Sequence, residues 1–88
     1  MTVYVDDMRA PYGRMVMCHM AADSEDELHA MADAIGVQRR WYQGDHYDIS
    51  LMKRRLAVLA GAQEVTVREM VAIVRPRRKV VLDATEGR

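Results

Sequence analysis

The sequence has few of the residues that usually fix the structure or the chemistry of a small protein. Its 88 residues include one cysteine, two prolines, one tryptophan and no phenylalanine. The single cysteine excludes an internal disulfide, and no Cys-x-x-Cys or His-x-x-x-His pair is present to form a zinc motif from neighbouring residues. No apolar run approaches the roughly 18 residues needed to span a bilayer. We therefore expect one small soluble domain without a membrane segment.

The apolar content and the charge distribution suggest that the domain does not act alone. Eight methionines contribute to a hydrophobic content of 50%, and these flexible side chains specify core packing less sharply than branched or aromatic ones. A homo-oligomer or a bound ligand would help to stabilise such a core. The net charge is zero, but residues 1–48 carry nine acids and four bases, whereas residues 49–88 carry four acids and nine bases. This asymmetry could steer an anionic ligand toward the second half or let two copies pair head to tail, although solvated faces are the simpler explanation.

The sequence pattern predicts alternating strands and helices. The predicted elements are strands at 2–5 and 15–20, a helix from Ser24 to Gly36, a strand at 37–42, a helix over 51–60, a strand at 64–65 and a helix from Thr66 that ends at Pro76. This order indicates an α/β fold: a small single domain over residues 1–75, with a short mixed or parallel sheet covered by about three helices. Residues 76–88 are predicted to form a basic, flexible tail. In a doubly wound layout, Asp6, Asp7 and the residues after Trp41 would share a crevice at the ends of parallel strands.

The candidate site is a dense run of polar and aromatic side chains at residues 39–48. Arginines can bind phosphate, aromatic rings can stack on a base, and Gln43 could read base edges. On a regular strand, Arg39 and Trp41 would face one side and Arg40 the other. As the single tryptophan, Trp41 is expected to be a packing anchor of the core. The predicted ligand-binding residues are Arg39, Arg40, Trp41, Tyr42, Gln43, His46, Tyr47 and Asp48, together with His19, Glu27, His29 and Asp6.

Short motifs along the chain are shared with one family. They are Val5-Asp6-Asp7, Cys18-His19, the stretch from Asp23 to Ala30, Trp41-Tyr42-Gln43 and His46-Tyr47-Asp48. Together they resemble the bacterial and phage domain of unknown function 4031, over roughly residues 2–75. The resemblance implies a bacterial or phage setting but no reaction. It implies that the polar signature positions are His19, Asp23, Glu27, His29, His46, Tyr47 and Asp48.

The leading functional prediction is a binding module for a phosphate-bearing small molecule, most plausibly a nucleotide. In a phage, such a module could sequester a host signalling nucleotide. The single cysteine and an N-terminus without the charged and apolar regions of a signal peptide favour the cytoplasm of a bacterial or phage-infected cell. This hypothesis requires no cofactor and leaves catalysis open.

Two alternatives belong to other functional classes. The first is a metal-dependent hydrolase in which His19, His29, His46 and Asp48 hold a divalent ion; a magnesium variant would use Asp6 or Asp7 with Asp48. The second is a nucleic-acid-binding accessory protein that uses basic clusters at 53–55 and 75–79, which the acidic first half disfavours. Nucleophilic catalysis by Cys18 is not expected, because Cys18 lies in a buried strand whose alternation directs it away from His19.

Overall fold

The computed structural model describes residues 2–86, and it describes side chains for residues 2–76. The elements in chain order are β1 (Val3–Val5), β2 (Ala10–Tyr12), β3 (Met15–Ala22), α1 (Glu25–Ile35), a 3₁₀ turn (Arg39–Trp41), β4 (Tyr47–Ser50), α2 (Leu51–Leu59), β5 (Gln63–Glu64) and α3 (Val67–Glu86). None of the helices in this range is both long and apolar enough to cross a membrane.

The sheet has five strands and is organised around β3. Strands β1 and β2 run antiparallel along one edge of β3, and β4 runs antiparallel along the other. Met20 of β3 accordingly pairs with Val5 on one side and with Tyr47 on the other. Strand β5 pairs with β1 in parallel. The α/β prediction with a mixed sheet is confirmed, although β1 and β5 are the one parallel pair among the described strands.

Helices cover both faces of the sheet. Side chains along β3 alternate between the two faces, so each face has apolar residues that pack against a helix. Met20 faces α1 and α2, where it packs with Leu28, Ile49 and other residues of the larger core. Ala21 faces α3 and packs with Met70 and other residues of a smaller core. The domain is therefore a three-layer structure in which the sheet separates two differently composed faces.

The predicted helix boundaries are confirmed where capping signals mark them. The Ser24 hydroxyl accepts a hydrogen bond from the Glu27 amide at 3.2 Å, and Gly36 ends α1 with a φ of 78°. Thr66 and Glu69 exchange the two hydrogen bonds of a second capping box at the start of α3, at 2.9 and 3.1 Å. Local side-chain chemistry determines these helix ends, so they could be predicted from the sequence.

The segment between α1 and α2 differs from its prediction. Residues 37–42 do not form a strand: Arg39–Trp41 is a 3₁₀ turn, and the sheet edge is occupied by β4 at Tyr47–Ser50. Gly44, with a φ of 92°, reverses the chain so that Tyr42 and Tyr47 form an isolated bridge. The prediction of a strand at 37–42 was wrong because β3 has one free edge here, and β4, which is more buried, pairs with that edge.

Two further boundaries differ. Residues Ala10–Tyr12, which are not among the predicted strands, form β2. The predicted helix end at Pro76 is also wrong, because α3 continues to Glu86 with Pro76 inside it. The flexibility of residues 76–88 stays a prediction, since the side chains from 77 onward lie outside the described part of the chain.

Candidate metal centre

Two histidines and one aspartate converge on the face of the sheet that α3 covers. His19 of β3 and Asp48 of β4 are direct partners in the antiparallel register, and directly opposed residues project from the same face. His46 lies two residues before Asp48, so strand alternation places it on that face as well. The register of two strands thus brings together residues that are 27 positions or more apart from His19 in the sequence.

The spacing of the three side chains suits a metal ion. Oδ1 of Asp48 lies 3.4 Å from Nε2 of His46 and 3.7 Å from Nε2 of His19, and the potential ligand atoms of the three residues lie within 4.8 Å of one another. Ligands about 2.1 Å from a tetrahedral ion are about 3.4 Å apart. The three residues therefore need little movement to become ligands.

Each histidine is held from behind by a buried carboxylate. Oδ2 of Asp6 lies 2.7 Å from Nδ1 of His19, and Oδ1 of Asp45 lies 2.5 Å from Nδ1 of His46. A carboxylate accepts hydrogen bonds, so Nδ1 of each ring donates to it, which leaves Nε2 as the ring nitrogen nearer Asp48. Such carboxylate–histidine pairs are the usual support of histidine metal ligands.

Asp6 is built into the fold to perform this role. Its side chain is fully buried, and Oδ1 accepts hydrogen bonds from the backbone amides of His19 at 2.9 Å and Met8 at 3.2 Å. Two backbone amides and the imidazole therefore compensate the Asp6 carboxylate and hold it against the His19 ring. We expected Asp6 to bind ligand directly, and the structure instead places it behind His19.

His29 does not join this cluster. It lies on α1, on the opposite side of the sheet, where its side chain is buried. Its Nδ1 is 2.7 Å from the hydroxyl of Tyr47, its Nε2 is 3.2 Å from Glu25, and its ring stacks edge-on against Tyr42. The predicted set of four metal ligands is thus reduced to His19, His46 and Asp48.

Tyr47 is likewise part of the core rather than of an open site. It is fully buried, and burial raises the pKa of its hydroxyl. Together with Tyr42 and His29 it forms an aromatic cluster beneath α1. These three predicted ligand-binding residues therefore have a structural role.

The substitution Tyr47→Phe should destabilise the domain by about 1–3 kcal/mol, because it removes the hydroxyl that pairs with the buried His29 ring while keeping the aromatic packing. Urea unfolding of the wild type and the variant measures the difference. The control is Tyr12→Phe, since Tyr12 is 64% exposed and its variant should unfold within about 0.5 kcal/mol of the wild type. Equal stability of the two variants would contradict this role of Tyr47.

The 3₁₀ turn also rearranges the residues from Arg39 to Gln43. The expected alternation of Arg39 and Trp41 against Arg40 is wrong, because Arg40 and Trp41 lie together with the guanidinium 5.1 Å from the indole ring. Trp41 is 52% exposed, so the prediction of a core anchor is also wrong. Gln43 donates from Nε2 to Oδ2 of Asp48 at 2.7 Å, which connects this turn to the histidine cluster.

The remaining candidate residues have local structural roles. Glu27 completes the capping box of α1 through the Ser24 hydroxyl, and Asp7 accepts a hydrogen bond from the Val67 amide at the start of α3. Asp6 contacts the His19 ring and Asp7 the start of α3, so among the described residues neither joins Asp48 in a group of possible metal ligands. Cys18 is buried in the larger core, as predicted, and burial raises the pKa of its thiol to about 12.

The supporting role of Asp45 was not predicted from the sequence. The pair Asp45-His46 was visible in the sequence, but adjacency alone does not show that Nδ1 meets the carboxylate. The wall that α3 forms beside the cluster was not predicted either. A cavity of about 250 Å³ lies there, and it is lined by His19, His46, Met70, Val71, Val74 and Arg75.

One of three comparisons with known proteins supports the family that the motifs indicated. Comparisons with curated proteins and with solved structures gave no match. A family model described as "Protein of unknown function (DUF4031)" matches residues 3–77, a range that contains all five residues of the cluster and its carboxylate supports. This chain therefore belongs to the DUF4031 family.

Proposed function

We propose that this protein is a hydrolase that depends on a divalent transition-metal ion bound by His19, His46 and Asp48. The observation that carries the proposal is the orientation of both imidazoles, each with Nδ1 held by a buried carboxylate and Nε2 directed at Asp48. Histidine metal ligands usually have such a hydrogen bond from the second ring nitrogen to a carboxylate. Two imidazoles and one carboxylate suit zinc and other first-row metals.

The number of protein ligands favours catalysis over a structural metal. Structural zinc sites are closed by four protein ligands, whereas catalytic sites use three and leave a position for water. Among the described residues, the cluster offers three such ligands, and the cavity beneath α3 gives space next to both imidazoles. An ion held there would lower the pKa of a bound water to about 7 and so supply hydroxide near neutral pH.

The chain's own residues have defined roles in this proposal. His19, His46 and Asp48 bind the ion, Asp6 and Asp45 keep the two imidazoles in the required tautomer, and Gln43 orients Asp48 by its hydrogen bond to Oδ2. Hydrolysis needs water as its single co-substrate. The phosphate-bearing ligand predicted from the sequence would be the substrate of this hydrolase. The location in the cytoplasm of a bacterial or phage-infected cell and the homo-oligomeric state stay predictions.

Metal stoichiometry tests the centre. Chelator-treated protein titrated with zinc, cobalt(II) or iron(II) should bind one ion per chain, as measured by calorimetry and elemental analysis. Asp48→Ala should weaken binding about 100-fold or more, because roughly 10–16 kcal/mol of zinc binding is shared among four ligands in structural sites. Asp33→Asn, which changes an exposed carboxylate on α1, is the matched control and should bind as the wild type does.

Turnover tests the hydrolase. With the bound ion, the wild type should cleave p-nitrophenyl phosphate or bis(p-nitrophenyl) phosphate, and both EDTA and Asp48→Ala should abolish the activity while Asp33→Asn retains it. Substoichiometric metal with all three ions, or equal metal affinity of Asp48→Ala and the wild type, would refute the proposal.

A further inference from the structure

A second and larger cavity opens next to the metal centre. This groove, of about 620 Å³, lies at the end of the sheet where β2 and β4 end and β3 begins. His19 and Asp48 form part of its wall, and the 3₁₀ turn forms another part through Arg40 and Trp41. A molecule in the groove would therefore lie directly beside the two metal ligands.

The charge of the groove favours an anion. Its lining includes Arg40 and Lys53, whereas Asp48 is the one acid among its described lining residues. Because the Asp48 carboxylate would be neutralised by the metal ion, the groove would be left with the two cations. Guanidinium and ammonium groups next to a metal are the usual partners of phosphate oxygens.

The groove also exposes aromatic surface. Trp41 is 52% exposed and Tyr12 is 64% exposed, and both residues line the groove. Exposed aromatic rings in a concave site are suited to a flat ligand, and stacking on such rings is a common way of holding a nucleobase. Arg40 lies against the indole of Trp41, so the anion-binding and the flat surfaces are adjacent.

The geometry points to a nucleotide as the substrate of the metal centre, an inference that rests on the proposed hydrolase. The base would contact Trp41, and the phosphate would lie between Arg40, Lys53 and the metal-bound water. In the reaction, the water oxygen forms a bond to phosphorus and the bond between phosphorus and the ester oxygen breaks. One water proton goes to the departing ester oxygen, and the hydroxyl remains on the phosphate.

Three probes separate the two parts of the groove: adenosine 5′-monophosphate, adenosine and ribose 5-phosphate, the two phosphates with a methylene group in place of the ester oxygen so that they bind without being cleaved. Each is titrated by calorimetry into the zinc-loaded full chain. The complete nucleotide should bind at least about 10-fold more tightly than either fragment. Arg40→Gln should weaken the nucleotide and ribose 5-phosphate by about 10-fold and leave adenosine unchanged. Trp41→Leu should weaken the nucleotide and adenosine by about 10-fold and leave ribose 5-phosphate unchanged.

The control is Arg55→Gln, which removes an exposed cation of α2 that does not line the groove and should leave all three affinities unchanged. Because Trp41 is the one tryptophan of the chain, its fluorescence should also change when nucleotide binds to the wild type. A folded Trp41→Leu variant that binds adenosine with wild-type affinity would overturn the inference.

The two proposals fail in different ways. If the chain binds metal and cleaves p-nitrophenyl substrates but binds none of the three probes, the nucleotide inference is overturned and the hydrolase stands. If the nucleotide binds with the expected sensitivity to Arg40→Gln and Trp41→Leu but metal neither binds nor supports turnover, the hydrolase is overturned. The groove is then still a nucleotide-binding site, and the protein is a binding module that sequesters a nucleotide.

Discussion

Saturation with zinc should raise the melting temperature of this protein by roughly 10–20 °C. An ion present at 100 times its dissociation constant stabilises the folded state by about 2.7 kcal/mol, and each kcal/mol shifts the melting temperature of a domain of this size by about 4–8 °C. The effect is large because the ligand-bearing segments come from two strands that meet only in the folded chain. Differential scanning calorimetry with and without EDTA measures it.

Asp48→Ala tests whether this stabilisation arises at the proposed centre. The Asp48 side chain is 39% exposed, so its removal should change the melting temperature of the metal-free protein little while abolishing the zinc-dependent increase. Asp33→Asn should keep the full increase. A zinc-dependent increase of the same size in Asp48→Ala would show that the metal binds elsewhere.

Asp6→Asn should lower metal affinity about 10- to 100-fold in a protein that still folds. The carboxamide oxygen can still accept the hydrogen bonds from the backbone amides of His19 and Met8. Its NH₂ group, however, cannot accept a proton from Nδ1 and would instead donate to it. The proton of the His19 ring would then move to Nε2, and the nitrogen that faces Asp48 would lose the lone pair needed for the metal.

Two further variants serve as a parallel test and as a control for Asp6→Asn. Asp45→Asn should act in the same way through His46, whereas Asp26→Asn, which changes an exposed carboxylate at the start of α1, should leave metal affinity unchanged. Circular dichroism and the melting temperature of each metal-free variant report whether the fold is retained. A folded Asp6→Asn variant with wild-type metal affinity would show that the buried carboxylate does not position the ligand.

Parts of the fold with a local cause were predictable from the sequence. The Ser24 capping box and Gly36 mark the two ends of α1, and the Thr66 capping box marks the start of α3, because each depends on residues within one helical turn. The α/β class followed from the order of these elements. The other end of α3 was predicted wrongly, because Pro76 was expected to end the helix. A proline disfavours the interior of a helix, but α3 contains Pro76 and continues beyond it.

The residue types of the candidate site were predicted from the sequence. Which of these residues lie in the groove, in the metal cluster or in the core was not. Residues 39–48 contain the groove residues Arg40 and Trp41, the proposed metal ligand His46 and the core residue Tyr47, which lie in three different environments. The reason is the turn at Gly44, which separates the 3₁₀ segment from β4. Apolar periodicity cannot show which of two neighbouring segments will take the single free edge of β3.

The sequence by itself determined the family, the two capped helix starts and the set of histidines and carboxylates from which a metal site could be chosen. The tertiary structure alone decided which of them meet. His19 faces Asp48 because of the pairing register of β3 and β4, and a slip of one residue would turn His19 toward the opposite face. His29, equally suitable by residue type, lies beyond the sheet from the cluster because α1 packs on the other face.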